Sequence, residues 1–183
     1  MAQHRLTREE ARQRTRGAIL AAARTLFTEH GYRGASLDDI AETAGYSKGA
    51  VYSNWPSKEA LFLDLLDEER TDGTGGMSTT AGPWQLATLE FFVEAVRSPE
   101  TRQALAARYQ QARRDIGAAV GGERPHPPWA TWDEIAAAAM AIGTGLIIQT
   151  ALDPEAIHPQ LANRVIGQLL GEDAHGNLRL DPE

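Results

Sequence analysis

Apolar residues recur at three- and four-residue spacing through most of the chain, and a strand-like alternation of apolar and polar positions persists nowhere. That period belongs to helices and not to sheets, so the sequence predicts an all-α fold. The first helix begins near Thr7, where Thr7-Arg8-Glu9-Glu10 places carboxylates in the positively polarised first turn. Its inward stripe is Ile19, Leu20, Ala23, Leu26 and Phe27, and Gly31 supplies a left-handed cap. Ser36, with Asp39 three residues on, opens a short second helix that runs to Thr43 or Ala44 and is stopped by Gly45. A third short helix spans about Ser47 to Asn54 and must end before Trp55-Pro56, because the residue preceding a proline is steered away from helical dihedrals.

Ser57-Lys58-Glu59-Ala60 restarts a fourth helix with Leu61, Phe62, Leu65 and Leu66 on its apolar side, ending near Arg70. The Gly-, Ser- and Thr-rich stretch from Thr71 to Gly82 reads as a loop. A helix from Pro83 to Arg97 follows, apolar around most of its circumference and so expected at the centre of the body. Ser98-Pro99-Glu100 starts another, by serine cap and first-turn proline, that runs to about Val120. After a loop over Gly121–Pro128 come helices over about Thr131–Leu152 and His158–Leu170, with a loose tail beyond Gly171. The organisation expected is a module over residues 1–58, a connecting helix over about 57–70, and a helical body over 71–183.

Composition narrows the partners. The net charge is −7, yet residues 1–58 carry nine Lys/Arg against six Asp/Glu while residues 59–183 carry nine against nineteen. An acidic body repels a polyanion and helps orient the basic end toward it. The chain has no cysteine, which removes disulfides, thiolate metal sites and cysteine nucleophiles. No uninterrupted apolar run approaches the ~18 residues of a membrane span, and the first thirty residues hold arginines and glutamates where a signal peptide is apolar. The expectation is a cytoplasmic protein with no membrane partner.

The informative stretch is Ser36 to Ala60. Two short helices joined by a tight turn containing Gly45 are the layout of a helix-turn-helix, in which Ile40, Ala41 and Val51 pack inward and small Ala44 sits where the helices crowd. The second helix then presents Ser47, Lys48, Gly49, Ala50, Tyr52, Ser53 and Asn54, a small-residue polar surface that can lie against base edges and phosphates. The order Ser-Leu-Asp-Asp-Ile-Ala, then Ala-Gly-Tyr-Ser-Lys-Gly-Ala-Val-Tyr, then Trp-Pro-Ser-Lys-Glu-Ala-Leu resembles the DNA-binding module of the TetR family over roughly residues 14–66. The resemblance implies phosphate contacts from Arg33, Ser36, Tyr52 and Lys58, and a groove-facing helix start at Ser47, Lys48, Gly49 and Ala50. It also implies an operator in double-stranded DNA, a homodimer and a small-molecule effector that releases repression. The chain departs from the family's pattern at Asn54, where histidine is usual, and at Trp55, where phenylalanine is usual.

Other chemistry finds little footing. Gly73-Thr74-Gly75-Gly76 follows no strand and lacks the Gly-Lys-Ser/Thr of a phosphate loop, and the five scattered histidines have no ligand spacing. Asp38-Asp39 and Asp133-Glu134 sit where helix N-termini favour negative charge, so no catalytic residue, cofactor or metal is expected. Two classes stay open beside the repressor: an architectural DNA-binding protein without a ligand, and a small helical enzyme or carrier.

In the body, Ala136, Ala139, Gly143 and Leu146 or Ile147 form a small-residue stripe along one helix. Its plain reading is an internal core. The family's habit of dimerising through its last two long helices makes it instead a dimer interface, completed by Leu161, Val165 and Leu169 of the final helix. Phe92, Tyr109, Trp129, Trp132 and Met140 are the candidates for lining an effector pocket.

Overall fold

In a computed structural model of the chain, residues 7–71, 81–122, 125–155, 157–158 and 160–169 are described. Most of the expected Thr71–Gly82 loop and the tail beyond Gly171 lie outside them. Among the described residues the secondary structure is entirely helical: α1 (Arg8–Gly34), α2 (Leu37–Ala44), α3 (Lys48–Asn54), α4 (Lys58–Thr71), α5 (Pro83–Arg97), α6 (Pro99–Gly121), α7 (Trp132–Leu152) and α8 (Leu161–Leu169). The chain divides into an N-terminal unit, Met1–Gly76 with Pro83–Ser98, and a C-terminal unit, Met77–Gly82 with Pro99–Glu183.

The N-terminal unit follows its caps. Thr7 opens α1 with a reciprocal pair: Glu10 N–H donates to Thr7 Oγ1 at 3.2 Å and Thr7 N–H to Glu10 Oε2 at 2.7 Å. Gly31 breaks the helix as expected, at φ 73° and ψ 171°, a region open only to glycine. The chain does not leave there, however. It takes one more turn to Gly34, which buries Tyr32 and leaves Arg33 exposed. Ser36 and Ser47 cap α2 and α3 by accepting Asp39 N–H at 3.1 Å and Ala50 N–H at 3.2 Å.

α5 departs from expectation. It packs on α1 and α4 instead of forming the centre of the second unit. The reason is its periodicity: Trp84, Ala87, Phe91 and Ala95 share one face and are buried. Phe62 of α4 stacks on Phe91 with ring centroids 4.5 Å apart and on Trp84 at 5.0 Å. Tyr32 meets Phe91 edge-on at 5.1 Å, and Phe27 meets Phe62 at 4.9 Å. Each such pair adds about 0.5–1.5 kcal/mol beyond the area it buries.

In the C-terminal unit, α7 is held between α6 and α8. Thr131 caps it with Glu134 in a second reciprocal pair, and Ile142, Ile157 and Leu161 pack around Ala139 and Leu146. The expected dimer stripe is therefore turned inward: Ala136, Ala139, Gly143 and Leu146 are buried within their own unit, Ile147 and Leu161 half-buried. Val165 is exposed, and the side chain of Leu169 lies outside the described residues. Trp132, expected at a pocket, fills a notch made by Gly117 and Gly121 one turn apart on α6. By length and composition α7 could cross a membrane, and 28% of its apolar window is buried.

Glycine substitutions should divide by sign in thermal melts. Gly17 has nothing within 4 Å of an added Cβ, so Gly17→Ala should stabilise by about 0.5–1 kcal/mol through helix propensity. At Gly121 an added Cβ would stand 2.5 Å from Trp132 Cδ1, and Gly121→Ala should destabilise by about 1–3 kcal/mol through overpacking.

Candidate nucleic-acid interface

α2 and α3 meet through Leu37, Ile40 and Ala41 on one side and Val51 on the other, all buried. Gly45, left-handed at φ 73° and ψ 27°, closes α2 and lets Tyr46 N–H donate back to Ala41 O at 3.0 Å. Val51 is the one inward anchor of a seven-residue helix, so α3 needs a second fixing point. Trp55 provides it. Its indole is 2% exposed, donates Nε1–H to Asp64 Oδ2 at 2.6 Å, and lies under the Arg16 guanidinium, which pairs with Asp64 at 2.5 Å. The larger plug expected at this position thus gains a polar handle that phenylalanine lacks.

Held at its middle by Val51 and at its C-terminal end by Trp55, α3 projects the predicted surface. Ser47, Lys48, Gly49, Tyr52 and Ser53 are exposed, with Ala50 and Asn54 half-buried beside them. Tyr52 keeps 48% of its surface, a large aromatic held out from the fold. Ser53 Oγ and Asn54 Nδ2 both donate to Ala50 O, at 3.0 and 2.8 Å, so one amide hydrogen of Asn54 is taken up inside its own helix.

The cations expected at DNA, Lys48 in the groove and Lys58 and Arg33 at phosphates, are already engaged. Lys48 pairs with Asp38 at 2.5 Å, which raises its pKa through the hydrogen bond and then the charge. Lys58 reaches back to the end of α1, where its ammonium donates to Tyr32 O at 2.8 Å and Ala35 O at 3.0 Å and sits 4.4 Å from the Tyr32 ring centroid. Burial lowers its pKa. A cation in the first turn of α4 is thus answered by the carbonyl end of α1. Arg33 is exposed and turned to α5: Nε–H donates to Glu94 Oε1 at 3.0 Å, its terminal amine contacts the same oxygen, and its backbone N–H donates to Glu90 Oε2 at 3.0 Å. Ser36 is likewise occupied, donating Oγ–H to Asp39 Oδ2 at 2.6 Å.

Glu90 and Glu94 were not among the residues singled out from the sequence. They stand on α5, some sixty positions from Arg33, and no local pattern links them. Of the effector candidates, Phe92 belongs to the N-terminal unit and Tyr109, Trp129, Trp132 and Met140 to the other. Trp129 is 65% exposed, whereas Tyr109 is half-buried and burial raises its pKa. A cleft of about 380 Å³ lined by Leu26, His30, Ala35 and Glu42, among others, includes none of the five.

Lys58→Met should lower stability by about 1–3 kcal/mol in denaturant unfolding, because it removes charged hydrogen bonds from the end of α1. The Glu94 carboxylate is held below its ordinary 4.5, first by the Arg33 hydrogen bond. Its contribution is present above 4.5 and is lost as pH falls through the lowered value. Carboxyl NMR should place the Glu94 midpoint below 4.5, and Arg33→Gln should return it toward 4.5.

Comparison with known proteins bears on both units. The family model described as "Bacterial regulatory proteins, tetR family" matches residues 19–65, and "BetI-type transcriptional repressor, C-terminal" matches residues 83–172. The HTH-type transcriptional repressor AcnR of Corynebacterium diphtheriae is 46% identical over 54 residues, which is 30% of this chain and 28% of AcnR. The chain thus spans less than a third of that relative's length. Salmonella enterica GusR superposes with a TM-score of 0.66 at 20% identity, covering 92% of this chain and 98% of GusR. The structure titled "SmeT-Triclosan complex" superposes at 0.60 with 18% identity, covering 93% and 98%. Matched over residues 19–65 and again over residues 83–172, the chain belongs to the TetR family of bacterial regulatory proteins.

Proposed function

We propose that the chain is a cytoplasmic, sequence-specific DNA-binding repressor that reads a palindromic operator as a homodimer and releases it on binding a small molecule. The observation that carries the reading is α3 itself. Its outward side is polar and built of small residues, and it is held at its middle by Val51 and at its C-terminal end by Trp55, with its start exposed. In this reading Ser47, Lys48, Gly49 and Ala50 approach base edges, while Tyr52, Ser53, Ser36 and Arg33 lie along the backbone. Lys58 serves mainly by fixing the end of α1, and Asn54 supports the helix from within.

The dimer face follows from what α7 leaves uncovered. Ala138, Ala141, Ile148 and Leu152 are exposed, with half-buried Gly145 between them, at alternating three- and four-residue spacing. Leu152 is 81% and Ile148 46% exposed. Small residues at one end of this stripe and large ones at the other suit the close approach of a second copy about a two-fold axis. This stripe, with Val165 beside it on α8, replaces the inward-facing one as the proposed interface. For the effector site, half-buried Tyr109 and Met140 remain the candidates. The relatives support an effector in kind: SmeT is a triclosan complex by its title.

Gel shift on the DNA upstream of the protein's own gene tests the reading. Binding should be specific and fall steeply with salt, with a log–log slope of roughly −0.9 per phosphate neutralised. Equal affinity for operator and random DNA would favour an architectural protein, and substrate turnover without DNA affinity an enzyme. Ile148→Asp should convert the dimer to monomer in sedimentation velocity and weaken operator binding at least ~10-fold, through a charge buried without a partner. A dimer that survives this substitution would remove α7 from the interface.

A further inference from the structure

We propose that Glu94 and an operator phosphate compete for the same guanidinium, that of Arg33, so that α5 sets DNA affinity through an exchangeable ion pair. The inference rests on the DNA-binding reading and adds to it a regulatory contact inside the N-terminal unit.

Two carboxylates one turn apart on α5 divide the end of α1 between them. Glu90 takes the backbone N–H of Arg33 at 3.0 Å, and Glu94 takes the side chain at Nε, also at 3.0 Å. The guanidinium can therefore swing away while the chain that carries it stays anchored. Glu94 is not orphaned by that exchange, because Arg97 lies on the same helix with its Nη1 3.7 Å from the same oxygen. The pair is also exposed at the arginine, so water screens it and its rupture costs little. A phosphate diester offers Arg33 the same two-pronged acceptor geometry as a carboxylate. The latch thus has two partners of similar chemistry, one on α5 and one on DNA.

The position of α5 decides which partner wins. While Glu94 holds Arg33, that cation is withheld from the backbone. A shift of α5 by a fraction of a helical turn carries both carboxylates away from the end of α1 and frees the guanidinium. This contact differs from the tethers on Lys48 and Lys58, which stay within the reading head itself.

Operator affinity of the full chain, measured across a salt series for wild type, Glu94→Gln, Arg33→Gln and the double variant, tests the proposal. Glu94→Gln should tighten binding about two- to fivefold, the range set by an exposed ion pair, and steepen the log–log salt slope by about one. In the Arg33→Gln background the same change should have no such effect. An equal gain in both backgrounds would show that Glu94 acts only as bulk negative charge, and no gain in either would show no competition; each overturns the latch alone. Failure of all four proteins to bind the operator would overturn the DNA-binding reading and the latch together.

Discussion

The N-terminal unit depends on the backbone break at Gly31. A helix that ran straight through this point would carry Tyr32 and Arg33 on around its axis. Instead φ 73° with ψ 171° redirects one final turn. That turn sends Tyr32 into the aromatic cluster with Phe62 and Phe91 and leaves Arg33 facing α5. It also aims the carbonyls of Tyr32 and Ala35 at Lys58. Only glycine occupies that dihedral region without strain, and the Glu90 carboxylate lies 2.9 Å from where a Cβ would stand. Backbone freedom at one residue thus joins the end of α1 to both α4 and α5.

The reading head is rigid by construction rather than by size. α3 is too short to be stable alone, and its stability comes from Val51 beneath it and Trp55 at its end. The Arg16, Asp64 and Trp55 arrangement ties that end to α1 and α4 at once. A surface held in this way would meet the proposed DNA partner with little loss of conformational entropy on binding. Lys48, Lys58 and Arg33, by contrast, are each paired with a neighbour, so the proposed association with DNA would be an exchange of partners and not a simple addition of charges.

The C-terminal unit shows how small residues serve two different purposes. Gly117 and Gly121 admit an indole, and Ala136, Ala139 and Gly143 let α7 lie close to its own neighbours. The apolar surface that remains on α7 is then the opposite side of the helix. Among the described residues this side of α7 is mostly uncovered, and it is the side the proposed second copy would meet.

The sequence by itself determined the helices, their caps and the reading surface, because each of these is set by residues within about one turn of one another. Ser36 with Asp39, Gly45, Ser47 and the Trp55-Pro56 stop are local signals, and α2, α3 and the exposed side of α3 were legible from them. Only the tertiary structure decided which partner each charged or apolar side chain meets. Lys58 meets the end of α1 and Arg33 meets Glu94 of α5, while the small-residue stripe of α7 could have faced either a neighbour or a twin. Periodicity shows that a helix has an apolar side but not what lies against it. Hydrogen-bond partners some twenty-five to sixty residues apart leave no trace in local spacing.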